Sequence, residues 1–135
     1  MTETIPENPT KPLEARAIAR WVRMTPRKMR LVADLVRGRN VRDAVNILQY
    51  STKRASTPVE KTIRSALANL QQSDEGAKLE PEDVVLKKIY VDEGPTMRRH
   101  MPRAMGRAYR IRKKTSHLTV IVAPKSIKKS PAASK

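Results

Sequence analysis

The 135-residue chain predicts an α+β fold: three helices packed on one face of a small three-stranded antiparallel sheet, with a long protruding β-hairpin. Three observations carry this. Apolar residues recur at helical spacing in three stretches between Pro26 and Gln72, each opened by a residue of capping type. Three other runs, Leu13–Met24, Val84–Val91 and Leu118–Ala123, alternate or are continuously apolar in the manner of strands. Between the last two runs lies a connection of 25 residues, 92–116, far longer than an ordinary loop in a compact domain.

Residues 1–12 hold three prolines and no periodicity, which predicts a disordered lead-in to a domain at 13–123. In the first strand, Ala15, Ala17, Ala19 and Trp21 fall on one face, and Arg16, Ile18, Arg20 and Val22 on the other, so one face is basic. Thr25-Pro26 opens the first helix, Thr as N-cap and Pro at the first helical position. Met29, Val32, Ala33 and Val36 form its apolar stripe and Gly38 its stop. Asn40 caps a shorter helix with Val41, Ala44, Val45 and Leu48 on one face. Thr57-Pro58-Val59-Glu60 reads as a capping box with Pro at the first helical position. Val59, Ile63, Ala66, Leu67 and Leu70 carry that third helix to about Gln72. Glu80-Pro81-Glu82-Asp83 is a turn. In the strand that follows, Val85, Lys87, Ile89 and Val91 oppose Val84, Leu86, Lys88 and Tyr90. If Val91 lies opposite Leu118, the hairpin at 92–116 turns near Ala104 and Met105, between Pro102 and Gly106. The segment 124–135 reads as a basic flexible tail.

The net charge is +16, and its distribution is uneven. Residues 1–93 carry 17 basic and 13 acidic side chains; residues 94–135 carry 12 basic and none acidic. Eight of those cations, Arg98, Arg99, Arg103, Arg107, Arg110, Arg112, Lys113 and Lys114, stand in the hairpin. Each of its arms holds about 12 residues, long enough to reach on the order of 40 Å. No small domain can bury eight like charges on such an arm, so a polyanion must surround it. Arginine outnumbers lysine there, which favours planar bidentate phosphate contacts. A solvated charge run would not need the apolar Met97, Met101, Met105, Tyr109 and Ile111 spread through it. An isolated hairpin is marginal in water, so ordering by the surrounding polyanion is the expectation.

The same reading excludes several classes. Cysteine is absent, which removes disulfides, thiol nucleophiles and zinc-finger sets. The two histidines, His100 and His117, have no partner at a diagnostic spacing, and Asp92-Glu93 before Gly94-Pro95 reads as a strand end rather than a metal site. No enzyme, cofactor or metal is expected. No apolar run approaches the roughly 18 residues that span a bilayer, and a charge-dense, Pro/Gly-punctuated hairpin is not an amphipathic membrane anchor. The polar N-terminus lacks a signal-peptide core, so a cytoplasmic address is expected. Two competing readings stay open on the residues alone. One is a DNA-binding protein using the arm on duplex grooves; the other is a nucleic-acid enzyme with Asp92, Glu93 and His100 at its site.

Four blocks stand out: Thr25-Pro26-Arg27-Lys28 with Leu35-Val36-Arg37-Gly38, Ser65-Ala66 with Ala68-Asn69, Val91-Asp92-Glu93-Gly94-Pro95, and Met101 to Ala108 running into Arg112 to Val120. In these blocks the sequence closely resembles the L twenty-two family of bacterial large-subunit ribosomal proteins. The resemblance spans about residues 13–123. It implies a body on the outer surface of the large subunit and a hairpin threading ribosomal RNA to line the nascent-peptide exit tunnel, near where macrolides bind. The implied partners are large-subunit ribosomal RNA, neighbouring large-subunit proteins and the nascent peptide, with no membrane and no homo-oligomer. RNA contact is expected at Arg16, Arg20, Arg23, Arg27, Lys28, Arg98, Arg99, Arg103, Arg107, Arg110, Arg112, Lys113, Lys114 and His117. The tunnel-facing tip is expected at Met97, Arg98, Arg99, Met101, Arg103, Ala104, Met105, Gly106 and Arg107. Met105 departs from the family pattern, standing where many relatives have a basic residue. Lys53-Arg54 and Lys125, Lys128 and Lys129 are further possible phosphate contacts.

Overall fold

A computed structural model describes residues 13–73 and 76–125; the lead-in at 1–12, the pair Asp74-Glu75 and the tail from 126 onward lie outside the described residues. The order is β1 (Ala15–Val22), α1 (Pro26–Val36), α2 (Val41–Gln49), α3 (Ser56–Gln71), β2 (Val84–Pro102), a single 3₁₀ turn (Ala104–Gly106) and β3 (Ala108–Pro124). The sheet runs β1-β3-β2, all antiparallel, so the C-terminal strand is the central one. This is the expected α+β arrangement, three helices on a three-stranded sheet.

One hydrophobic cluster joins the layers. Met29, Val32 and Val36 of α1, Val41 and Leu48 of α2, and Val59, Ile63, Ala66 and Leu70 of α3 meet Leu118, Val120 and Val122 of β3, all with at most 2% exposure. Burying aliphatic side chains of this size contributes on the order of 1.5–3 kcal/mol each. With no Phe in the chain, this aliphatic set carries the core.

The edges of the sheet are covered by side chains and by backbone. Arg30 of α1 donates from Nε and Nη2 to the Val91 carbonyl at 3.3 and 3.1 Å, and Arg37 donates to Ile89 O at 3.2 Å. Asn40 bridges to Val85, and Leu86 N donates to Arg39 O. On the opposite edge Asn69 of α3 donates to the Arg16 carbonyl of β1 at 3.0 Å. An unprotected strand edge would template pairing with other chains.

Local details depart from the sequence expectations in three places. The Thr57–Glu60 capping box does not form. Ala55 and Ser56 are buried, α3 starts at Ser56, and Glu60 instead pairs with Arg64 at 2.7 Å. Pro58 then sits within the first turn, where its missing N–H is not needed. In β2 a bulge between Leu86 and Lys88 breaks the simple alternation. Val84 and Leu86 before it and Ile89 and Val91 after it therefore share the core face, while Lys87 and Lys88 are both exposed. In β1 a bulge between Ala19 and Val22 turns Trp21 away from the alanine face and leaves it 62% exposed.

Candidate nucleic-acid interface

The hairpin is strand to within a residue of its tip. Val91 lies opposite Leu118, as the spacing implied, and the ladder then continues from Thr96↔Lys114 to Pro102↔Ala108. Since β1 pairs no further along β3 than Ser116, this outer ladder is a two-stranded ribbon with both edges open. The turn uses Met105 at φ 59° and Gly106 at φ 66°. Two successive left-handed residues close a tight connection that glycine adopts freely and methionine seldom does. Met105 is 93% exposed at the apex.

A second bulge, between Glu93 and Thr96, marks the root of the arm. Thr115 Oγ1 donates to Pro95 O at 2.7 Å across it. Gly94 is required there by space: a Cβ would come within 2.5 Å of Thr115 Oγ1. The Gly94-Pro95 block is thus a fixed joint between body and arm.

Register sorts the arm into two faces. Met97, Arg99, Met101, Tyr109, Ile111 and Lys113 lie on one; Thr96, Arg98, His100, Arg110, Arg112 and Lys114 lie on the other. On the second face Arg98 opposes Arg112 and His100 opposes Arg110. Like charges directly across a ladder destabilise it. The Arg103 guanidinium lies over the Tyr109 ring, its carbon 5.7 Å from the centroid. Arg99 donates to the neighbouring Arg98 carbonyl. Among the described residues, Lys114 alone of the expected RNA-contacting lysines and arginines has a carboxylate within 4 Å, Glu93 at 3.6 Å. Elsewhere the charges are paired within the body: Arg37 with Asp34, Arg42 with Glu82, Arg64 with Glu60 and Lys87 with Glu14.

Where the arm leaves the body, a groove of about 960 Å³ opens between α1, the α2–α3 turn and the hairpin root. Met24, Leu31, Ala55, Met97 and Ile111 supply its apolar lining. Arg23, Lys28, Arg99, Arg112, Lys113 and Lys114 line it too, together with Lys53 and Arg54. No carboxylate is among its lining residues.

The expected contact residues therefore fall into separate groups. Arg23 and Lys28 join the hairpin-root cations in the groove, while Arg98 and Arg110 project along the arm and Arg103 and Arg107 flank its tip. Arg27 is exposed at the start of α1. Arg16 lies on the sheet face opposite Ala17, and Arg20 is exposed within the bulge that follows Ala19. His117 stands apart: it is half-buried, and its Nδ1 accepts from Trp21 N at 3.1 Å. Lys53 and Arg54 belong with the groove, and their signal in the sequence was an adjacent basic pair at a helix junction. Leu31 had no such signal; lying with Leu35 off the α1 stripe, it becomes informative only once the hairpin root is beside it.

Comparison with known proteins agrees with this architecture. Residues 17–123 match the family model described as ribosomal protein L22p/L17e. The chain is 54% identical over 112 residues to the large ribosomal subunit protein uL22 of Desulfitobacterium hafniense strain Y51, covering 83% of this chain and 96% of that one. It is 53% identical over the same length to the protein of that name from strain DSM 10664 / DCB-2. A two-stranded cationic arm on an α+β body, matched through both arm and body, makes this chain a member of the L22p/L17e family of ribosomal proteins.

Proposed function

We propose that the chain is a structural constituent of the large ribosomal subunit in the cytoplasm. It binds large-subunit ribosomal RNA, supports assembly of that RNA, and extends its hairpin to line the nascent-peptide exit tunnel. Its role is scaffolding rather than catalysis, as befits a ribosomal-protein family.

The observation that carries this reading is the ladder that sets Arg98 across from Arg112 and His100 across from Arg110, with no carboxylate among them. Apart from Lys114 beside Glu93 at its root, the ribbon has neither a core nor charge compensation among the described residues, so its stability is drawn from a surrounding polyanion. RNA supplies phosphates on every side, and each contact releases condensed counterions. Shape and phosphate contacts dominate, with little reading of a linear base sequence. Met97, Arg98, Arg99, Met101, Arg103, Ala104, Met105, Gly106 and Arg107 form the segment assigned to the tunnel wall. An apex of Met105 makes that wall contact apolar at its outermost point.

Sedimentation of a tagged copy from lysate, in moderate and then high salt, tests the reading. Co-migration with large subunits that survives high salt is expected of an integrated component. Migration at the top of the gradient or with the nucleoid overturns it, the latter in favour of DNA binding.

A further inference from the structure

Trp21 is the chain's only tryptophan, and its conformation is one that a regular strand does not provide. Its φ of 60° lies in the left-handed region, where bulky side chains rarely sit. The bulge at Ala19/Val22 produces that conformation and leaves 62% of the residue exposed, while Val22 packs against the core. Two contacts define its setting. Its backbone N–H donates to His117 Nδ1 at 3.1 Å, and the two rings meet edge to face, centroids 5.2 Å apart at 88°.

Folding alone does not account for this arrangement. An indole in the core would have been buried, and a surface strand position needs no indole. Bulges that re-aim a side chain and backbone held in rare conformations gather at binding sites. The charge around Trp21 indicates what binds. Residues 15–33 contain Arg16, Arg20, Arg23, Arg27, Lys28 and Arg30 and no carboxylate. Arg23 and Met24, next along the chain, line the groove at the arm's root. An exposed indole flanked in sequence by Arg20 and Arg23 has the composition that suits a nucleobase between its two phosphates.

We propose that Trp21 is a stacking platform for an unpaired base of an RNA strand, with Arg20 and Arg23 neutralising the adjoining phosphates. His117 is a positioning residue that fixes the indole. The inference rests on the RNA-binding reading above and adds to it a contact on the body, specific for unpaired RNA but tolerant of base identity.

The test is a titration of the full chain with an end-labelled oligoadenylate of about 12 nucleotides, a length within ordinary single-strand site sizes. Label anisotropy reports binding, and emission of the single tryptophan reports stacking. Emission is expected to fall along the same curve as anisotropy rises. Inorganic polyphosphate, which offers the charge without bases, is expected to leave emission near its free value. Trp21→Phe keeps a π-face and retains most of the affinity; Trp21→Leu keeps only the apolar surface and loses about 5-fold or more. Trp21 lies outside the core, and matching far-UV circular dichroism of both variants verifies that they fold. Unchanged emission at saturating anisotropy, equal quenching by polyphosphate, or native affinity in Trp21→Leu each overturns the platform while leaving RNA binding intact. No binding of the oligonucleotide at all also overturns the platform, whereas the large-subunit reading is overturned separately by failure to co-sediment with large subunits.

Discussion

Arg98 stands directly across the β-ladder from Arg112 at the middle of the outer arm, and neither has a carboxylate within 4 Å among the described residues. At a cross-strand separation of about 5 Å, two cations destabilise the free ribbon. Surrounded by phosphate, the same pair becomes two adjacent anion sites. Arg98→Gln combined with Arg112→Gln is expected to lower the slope of log affinity for large-subunit RNA against log salt by about 1–2. The unfolding free energy of the body should change by no more than about 0.5 kcal/mol. Filter binding over a salt series and denaturant unfolding measure the two quantities; an unchanged slope would remove this pair from the interface.

The arm and the body should also respond differently to protease. Beyond Thr96 and Lys114 the ribbon has no third strand, and nearly every residue to its tip is exposed. Limited trypsin treatment of the free protein is expected to cut first within 96–114, leaving a protected body. Addition of large-subunit RNA should abolish those cuts. Mass spectrometry of early fragments identifies the sites, and an arm as resistant as the body would argue against ordering by RNA.

Gly94→Ala tests the joint. The added Cβ would come within 2.5 Å of Thr115 Oγ1 and would disturb its 2.7 Å bond to Pro95 O. A destabilisation of about 1–3 kcal/mol is expected, in line with overpacking at a well-filled site. Pairing Gly94→Ala with Thr115→Ser, which keeps the hydroxyl, should not rescue it. Thr115→Ala, which removes the obstructing oxygen, should recover part of the loss. A thermal or denaturant melt of the four proteins decides this.

Arg30 is expected to behave as a structural residue although it looks like a phosphate contact. Its guanidinium satisfies the Val91 carbonyl on the outer edge of β2. Arg30→Ala should therefore cost about 1–2 kcal/mol of stability, as for a hydrogen bond from a charged donor. The salt slope for RNA should not change. Lys28→Ala, in the groove lining with no ion-pair partner among the described residues, should do the reverse. Denaturant unfolding and salt-dependent binding, run on both variants, separate the two roles.

Much of the fold was legible because its determinants are local. Pro26 at the first turn, Gly38 at φ 74° and the 3.6-residue stripe of Met29, Val32, Ala33 and Val36 mark α1 without reference to anything distant. The hairpin was legible for a related reason. Pairing Val91 with Leu118 puts the turn near Ala104 and Met105 by counting, and the bulge between Glu93 and Thr96 shifts the later rungs by only one residue, centring the turn on Met105. The capping box at Thr57 shows the limit of local reasoning: burial of Ala55 and Ser56 against the core extended α3 backwards past the residue that looked like its start.

By itself, then, the sequence determined the elements, the one-sided charge, the aliphatic core and the identity of the arm, all properties of neighbours in the chain. Tertiary structure alone decided three things. It made β3 the central strand, it gathered Lys53 and Arg54 of a distant turn with Arg23 and the hairpin root around one groove, and it set bulges at Leu86/Lys88, Glu93/Thr96 and Ala19/Val22. A bulge is one residue out of step, and only the partner strand defines the step. That is why Trp21, read from alternation as a companion of Ala15, Ala17 and Ala19, stands instead in solvent against His117.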